Sequence, residues 1–362
     1  MWPDQRFLDF VGVELPIIQA PMAGANGSAM VIKVCNAGGL GSLPCAMLDG
    51  PKVREEILAI RAKTDRPFNL NFFCHTPAAP EPERDKNWKQ QLERYYKELG
   101  VDPSVSAPAV SREPFNEEMC VIVEETKPEV VSFHFGLPDR ELLERTKAAG
   151  CKILSSATTV AEACWLEDKG CDAIIAQGNE AGGHRGMFLT TDIASQPGTF
   201  ALVPQIVDAV NVPVIAAGGI ADGRGIAAAF ALGASAVQVG TAYLFTPESL
   251  VSDLHREALK ADSNDQTMLT NVFSGRPARG LVNRVMREVG PISEHAPAFP
   301  TAGGALAPLK AKAETAGSAD FSSLWSGQSA RLCKGTTSGA LTLSLAEESR
   351  RRIEELASRI NS

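Results

Sequence analysis

Two glycine pairs, one imidazole and two carboxamides are the residues whose types and spacing can do chemistry. PVIAAGGIADGRG carries Gly218 and Gly219, and AVQVGTAYLF carries Gln238, Val239, Gly240 and Thr241, each where an apolar run must hand over to a helix. Glycine at such a junction lets backbone N–H groups approach phosphate oxygens, and a helix N-terminus adds a favourable dipole. A tight turn needing positive φ is the lesser reading of one glycine pair, and two pairs at adjacent strand ends weaken it further in favour of a phosphate cradle of Gly218, Gly219, Gly240 and Thr241. His184 lies in the glycine-rich NEAGGHRG, just after a run ending at Gln177. An imidazole there can serve as acid, base or hydrogen-bond donor; a lone histidine is usually structural or solvated, and the neighbouring cradle reverses that in favour of the catalytic reading. Asn71 in FNLNFF and Gln177 each donate and accept, matching the alternating N–H and C=O edge of an isoalloxazine, although strand amides also serve as core polars. Together with a nucleotide-phosphate site they point to FMN.

Eight strand-length apolar runs alternate with helix-length amphipathic segments: 16–22, 40–45, 68–74, 130–136, 152–157, 173–178, 212–220 and 236–244. Eight βα units favour an α/β fold of the closed (β/α)8 TIM-barrel type, which binds phosphate at its last two strand ends. Helices are expected at 51–63, with Pro51 near its start, at 159–169, with Thr159 as N-cap, and at 344–360. The Pro-rich, charged stretch 75–113, with a helix around 87–99, leaves the third strand at the functional end and reads as a lid insertion. The expected organisation is a barrel over 1–262 carrying that lid, a smaller C-terminal lid subdomain over 263–330, and a C-terminal helical segment, 331–362, packing back on the barrel.

The 362 residues are 44% hydrophobic and 22% charged, enough for a large core, and the net charge of −8 without basic runs argues against nucleic acid as a partner. The eight cysteines show no CxxC spacing and read as reduced core residues, neither disulfides nor zinc ligands. MWPDQRFLDF is acidic and lacks an apolar h-region, so a cytoplasmic protein is expected. The uncharged stretch 225–247 is long enough to span a membrane, yet Gly233-Ala234-Ser235 splits it into a buried helix and a buried strand. No GxGxxG, P-loop, HExxH or GxSxG motif is present, which disfavours a Rossmann domain, zinc hydrolysis and serine acyl transfer.

IIQAPMAG at 17–24, SFHFGLP at 132–138, EAGGHRG at 180–186 and AAGGIADG followed by QVGTAYLFTPES resemble the class I nitronate monooxygenases, formerly 2-nitropropane dioxygenases. The likeness is strong over 15–248 and looser through LWSGQSARL. It implies an FMN-dependent barrel that oxidises alkyl nitronates of the propionate 3-nitronate type with O2. One-electron transfer to the flavin would give a carbonyl compound with nitrite or nitrate, in a monomer or homodimer. It assigns FMN contacts to Met22, Asn71, Gln177, Gly182, Gly219 and Gln238 to Thr241, catalysis to His184 and a substrate-binding role to His134. Similar proteins carry tyrosine where this chain has Phe299, which bears on substrate gating. An NAD(P)H-dependent FMN quinone or enoyl reductase on the same scaffold is the alternative, and a non-catalytic FMN-binding protein is a weaker one.

Overall fold

In a computed structural model, which describes residues 2–105 and 112–360, the apolar runs form the staves of a barrel. They are β1 (Ile17–Gln19), β2 (Gly41–Pro44), β3 (Phe68–Phe73), β4 (Val130–His134), β5 (Lys152–Ala157), β6 (Ala173–Gln177), β8 (Val214–Ala217) and β9 (Ala236–Val239). The all-parallel order is β1-β9-β8-β6-β5-β4-β3-β2, and an Ile18–Leu40 bridge brings the two edges together, giving a (β/α)8 TIM barrel. Strands covered by helices outside and by packed side chains inside carry few polar residues, which is why β3 and β6 are buried along their whole length.

Local chemistry starts the helices where the sequence places them. Asp49 accepts from the Lys52 N–H at 2.9 Å and Pro51 sits in the first turn of Gly50–Arg61. Thr159 caps Val160–Asp168 through the Glu162 N–H. The eighth barrel strand is shorter than the expected 236–244. Gly240 turns out of the extended region and Thr241–Leu244 winds one helical turn, so the β-type residues of TAYLF do not prolong the strand. The uncharged stretch 225–247 is divided among the helix Gly223–Ala231, β9 and this turn; among the described residues no helix is long and apolar enough to cross a membrane.

The chain leaves the barrel twice, and the two excursions meet. After β3, helices Pro82–Gln91 and Glu93–Leu99 replace the single helix expected at 87–99, with the break at Leu92. After β9 come β10 (Thr267–Thr270), β11 (Ala278–Leu281) and helices Arg284–Val289 and Gly303–Thr315. Trp88, Tyr95 and Tyr96 from the first excursion share a hydrophobic cluster with Phe273, Leu309 and Phe321 from the second, and Trp88 Nε1 donates to the Ala302 carbonyl at 2.9 Å. Burying an indole and two phenol rings here joins the excursions into one lid with its own core. The expected lid residues 106–111 lie outside the described residues, as do 361–362. The helix Ser338–Ile360, longer than the expected 344–360, then packs on Ser28–Asn36 and Gly223–Ala231. The last barrel helix therefore follows the second lid excursion in the chain.

Candidate active site

A cavity of about 970 Å³ lies at the C-terminal ends of the strands beneath the lid. Met22, Asn71, His134, Gln177, Gly182, His184, Gly218, Gly219, Gln238, Gly240 and Thr241 all line it, so segments far apart in the sequence converge there. Val239 is the exception. Its side chain is fully buried in the barrel wall and its carbonyl accepts from the Ala20 N–H at 2.8 Å.

His184 is built into a strand that the periodicity of the sequence does not show. Gly183–His184 forms β7, and pairs antiparallel with β11 of the lid, with His184 opposite Ala278. Its carbonyl accepts from Gln177 Nε2 at 2.9 Å and from His134 Nε2 at 3.2 Å. Because a carbonyl only accepts, His134 carries its proton on Nε2, and Nδ1 accepts from the Ser156 hydroxyl at 2.5 Å. Both ring nitrogens of His134 are thereby engaged within the protein. His134 lines the cavity and, through these bonds, also fixes the backbone of His184. Gln177 also accepts from the Gly186 N–H at 2.7 Å, so its amide pins the 183–186 loop and keeps one N–H and one lone pair for a ligand. The fully buried Arg185 adds bonds from its guanidinium to the carbonyls of Gln177 and Gly178, both 2.6 Å.

The His184 ring sits among Phe73, Phe135, Phe299 and Trp325, with ring centroids 5.4–6.2 Å away. Phe135 holds its place at φ 70°, a left-handed conformation that strains a residue with a Cβ. Nε2 of His184 lies 2.8 Å from the Ser274 hydroxyl, itself 3.3 Å from the Arg276 carbonyl. Burial first, then the neighbouring Arg112, His134, Arg276 and His75, whose own protonation would oppose a second positive charge, holds the His184 imidazole well below its ordinary pKa of 6.5. His134 is pushed down to about 3 and His75 to about 4, burial again leading. The imidazole cluster is neutral at pH 7. The positive charge belongs instead to Arg112 and Arg276, which lie against the Phe299 ring.

At the other side of the cavity the two glycine pairs do different work. Gly218, at φ 110°, lets the 178–181 loop pack close, since a Cβ would come within 3.0 Å of the Ala181 nitrogen. Gly219, at φ 71°, and Gly240 present backbone to the cavity, and a Cβ on Gly240 would meet nothing nearer than 3.5 Å. The lid segment 326–329 closes over them. Ser329 Oγ donates to the Gly219 carbonyl at 2.6 Å, and the Gly327 N–H donates to Thr241 Oγ1 at 2.9 Å. Gly182 permits this approach: a Cβ there would stand 2.5 Å from the Gly327 nitrogen. Gln238 Oε1 is buried at the cavity wall without a partner.

Sequence reasoning did not find Ser274, Arg112, Arg276, Trp325 or Ser329. The segments FSGRPARGL and LWSGQSARL were visible as departures from the barrel rhythm, but nothing local shows that they return to the mouth.

Fold and site together define a barrel enzyme with a cavity at its C-terminal mouth, where one histidine is held by the lid and a glycine-lined recess faces it. The sequence profile described as nitronate monooxygenase matches residues 4–348. The chain belongs to the nitronate monooxygenase family and is an oxidoreductase. It is 42% identical to a nitronate monooxygenase of Pseudomonas aeruginosa, covering 95% of this chain and 99% of that protein. It is 39% identical to one of Paraburkholderia phytofirmans, covering 97% of each. Among solved structures, a nitroalkane oxidase from Streptomyces ansochromogenes superposes with a TM-score of 0.88 at 38% identity, over 97% of this chain and 99% of that one. FabK from Thermotoga maritima gives 0.72 at 28% identity, over 98% of each chain.

Proposed function

We propose that the protein oxidises alkyl nitronates, propionate 3-nitronate among them, with O2, using FMN held in the glycine-lined recess. The residues present fit such a group. The exposed backbone at Gly219 and Gly240 with Thr241 suits the phosphate, and the orphaned Gln238 Oε1, the unused N–H of Gln177 and the Asn71 amide suit the polar edge of the ring system. When bound, the flavin supplies the electron acceptor.

The observation that carries this reading is a neutral His184 on the wall shared with the recess, its Nε2 backed by Ser274 and its Nδ1 engaged by no described protein group. In one tautomer Nδ1–H donates to a nitronate oxygen; in the other its lone pair accepts the α-proton of a neutral nitroalkane. The Ser274 hydroxyl rotates to suit either. The phenylalanine rings keep water from the reacting carbon.

The test joins a spectrum with a substitution. The purified protein should be yellow, and anaerobic nitronate should bleach it. His184→Asn keeps a donor but no base near neutral pH, so oxygen uptake with preformed nitronate should persist at reduced rate while uptake with nitroalkane disappears. A colourless protein, or equal rates for wild type and variant on both forms, overturns the proposal. The likeness to FabK favours a second reading, an NAD(P)H-dependent reductase, for which NADH and not nitronate would bleach the flavin.

A further inference from the structure

We infer that Ser132 is a positioning residue: from inside the barrel it locks the Asn71 carboxamide with its nitrogen to the wall and its oxygen to the cavity, so that the site selects a ring presenting an N–H at that point. Resting on the flavin reading, this assignment goes past it in naming the atom that Asn71 offers and the residue that fixes it.

Inside the largely apolar barrel, β2, β3 and β4 carry a polar row. Asn69 and Asn71 lie two residues apart on β3 and so point to the same face of the sheet. Ser42 stands opposite Asn69 in the strand register, and Ser132 opposite Asn71. Asn69 Nδ2 bridges the two hydroxyls, 3.0 Å from Ser42 Oγ and 2.8 Å from Ser132 Oγ, and Asn71 Nδ2 donates to the same Ser132 Oγ at 2.9 Å. Ser42, Asn69 and Ser132 are almost fully buried, where a polar group is costly unless hydrogen bonds hold it. Of the four residues only Asn71 lines the cavity, so the row ends at the site.

The two asparagines differ in how far their amides are fixed. The Asn69 nitrogen meets only hydroxyls, which both donate and accept, so that amide satisfies them either way round. Asn71 also lies 3.2 Å from the Ser132 carbonyl oxygen, which only accepts, so the amide atom turned towards it must be nitrogen. Turning the Asn71 amide over would set two oxygens against each other inside the wall. The carbonyl and hydroxyl of one residue therefore hold Nδ2, and Oδ1 takes no hydrogen bond from any described residue. Gln238 Oε1, buried and unpartnered, is a second bare acceptor on the cavity wall. An oxidised isoalloxazine has one ring N–H, set between two carbonyls. A fixed acceptor suits that N–H and opposes either carbonyl, so the lock on Asn71 sets which part of the ring edge it can meet.

The test is a ratio of two affinities. Fluorescence titration of the flavin-free protein compares FMN with FMN methylated at the imide nitrogen, in which the N–H is gone and the rest is kept. Wild type should bind FMN about 5- to 150-fold more tightly, the effect of stranding one buried acceptor. Ser132→Ala leaves Asn71 Nδ2 only the carbonyl bond and should shrink that ratio several-fold. Ser132→Thr, which restores a hydroxyl, should recover it, and Asn71→Leu should abolish it. A loosened site weakens both flavins alike, so the ratio separates amide orientation from general damage to the fold. Equal binding of both flavins by wild type overturns the inference and leaves the flavin reading standing. A ratio undiminished in Ser132→Ala, or still present in Asn71→Leu, reflects the bulk of the methyl group and does the same. Binding of neither flavin overturns the flavin reading and this inference with it.

Discussion

Replacing Ser274 by alanine removes one hydroxyl from behind the His184 imidazole and leaves the rest of the wall in place. Ser274 is almost fully buried, and its hydroxyl lies within donating distance of the Arg276 carbonyl. In that orientation it accepts from His184 Nε2–H and leaves Nδ1 bare towards the cavity. Alanine strands a buried ring N–H, a loss of about 1–3 kcal/mol. With each ~1.4 kcal/mol worth tenfold in rate, that is roughly 5- to 150-fold for a step that depends fully on the bond. Proton abstraction is such a step, because the imidazolium it creates uses the acceptor more strongly than the neutral ring does. Turnover of preformed nitronate leaves the ring neutral and should fall only a few-fold. Oxygen uptake by wild type and Ser274→Ala, with nitroalkane and freshly prepared nitronate, reads the difference in kcat, and a melting curve checks the fold. Equal losses on both substrate forms at an unchanged melting temperature would refute the assignment of Ser274 as the acceptor behind a base.

Gly219→Val should lower flavin occupancy of the purified protein, because its φ of 71° disfavours a side chain, whose Cβ would press on Glu180 at 3.4 Å, so the backbone facing the recess must shift; full occupancy would remove this residue from the cradle. Acidification should destabilise the fold from pH 6.5 downward. His75, His134 and His255 have folded pKa values of about 4, 3 and 4, and His184 is also depressed, so the unfolded chain binds protons first, at about 1.4 kcal/mol per pH unit for each imidazole. Urea unfolding at pH 7 and pH 5 should therefore show lower stability at pH 5. Alkylation of the native protein should label the exposed Cys164 without loss of activity, since burial pushes Cys35, Cys151 and Cys171 up to about 12. Inactivation that tracks modification of any other thiol contradicts this.

The barrel was legible because a parallel strand enclosed on both faces must be apolar along its length, a signal that survives in runs such as 68–74 and 173–178. The same signal misled at 236–244, where Gly240 ends a strand whose β-type residues continue. Asn71, Gln177 and His184 were legible because they sit on or beside strands whose direction sets their position. Ser274 and Arg112 were not, since they belong to excursions whose return path depends on Trp88, Tyr96 and Phe321 meeting across some two hundred residues of chain. The two-residue strand carrying His184 exists only because β11 arrives from the lid, and no local pattern announces a partner that distant.

The position of the closing helix Ser338–Ile360 has a consequence for biosynthesis. The strands and seven of the helical layers leave the ribosome before it, while its docking surface on Ser28–Asn36 and Gly223–Ala231 waits open. That surface is tailored to it: a Cβ on Gly223 would stand 2.5 Å from the Glu348 backbone, and one on Gly39 would meet the Thr342 side chain at 3.0 Å. Until then the nascent chain exposes an apolar trough on a barrel that already has its strands. A ribosome stalled within the lid would therefore display a long-lived species prone to chaperone capture, although every residue lining the glycine recess on the barrel side has already been made.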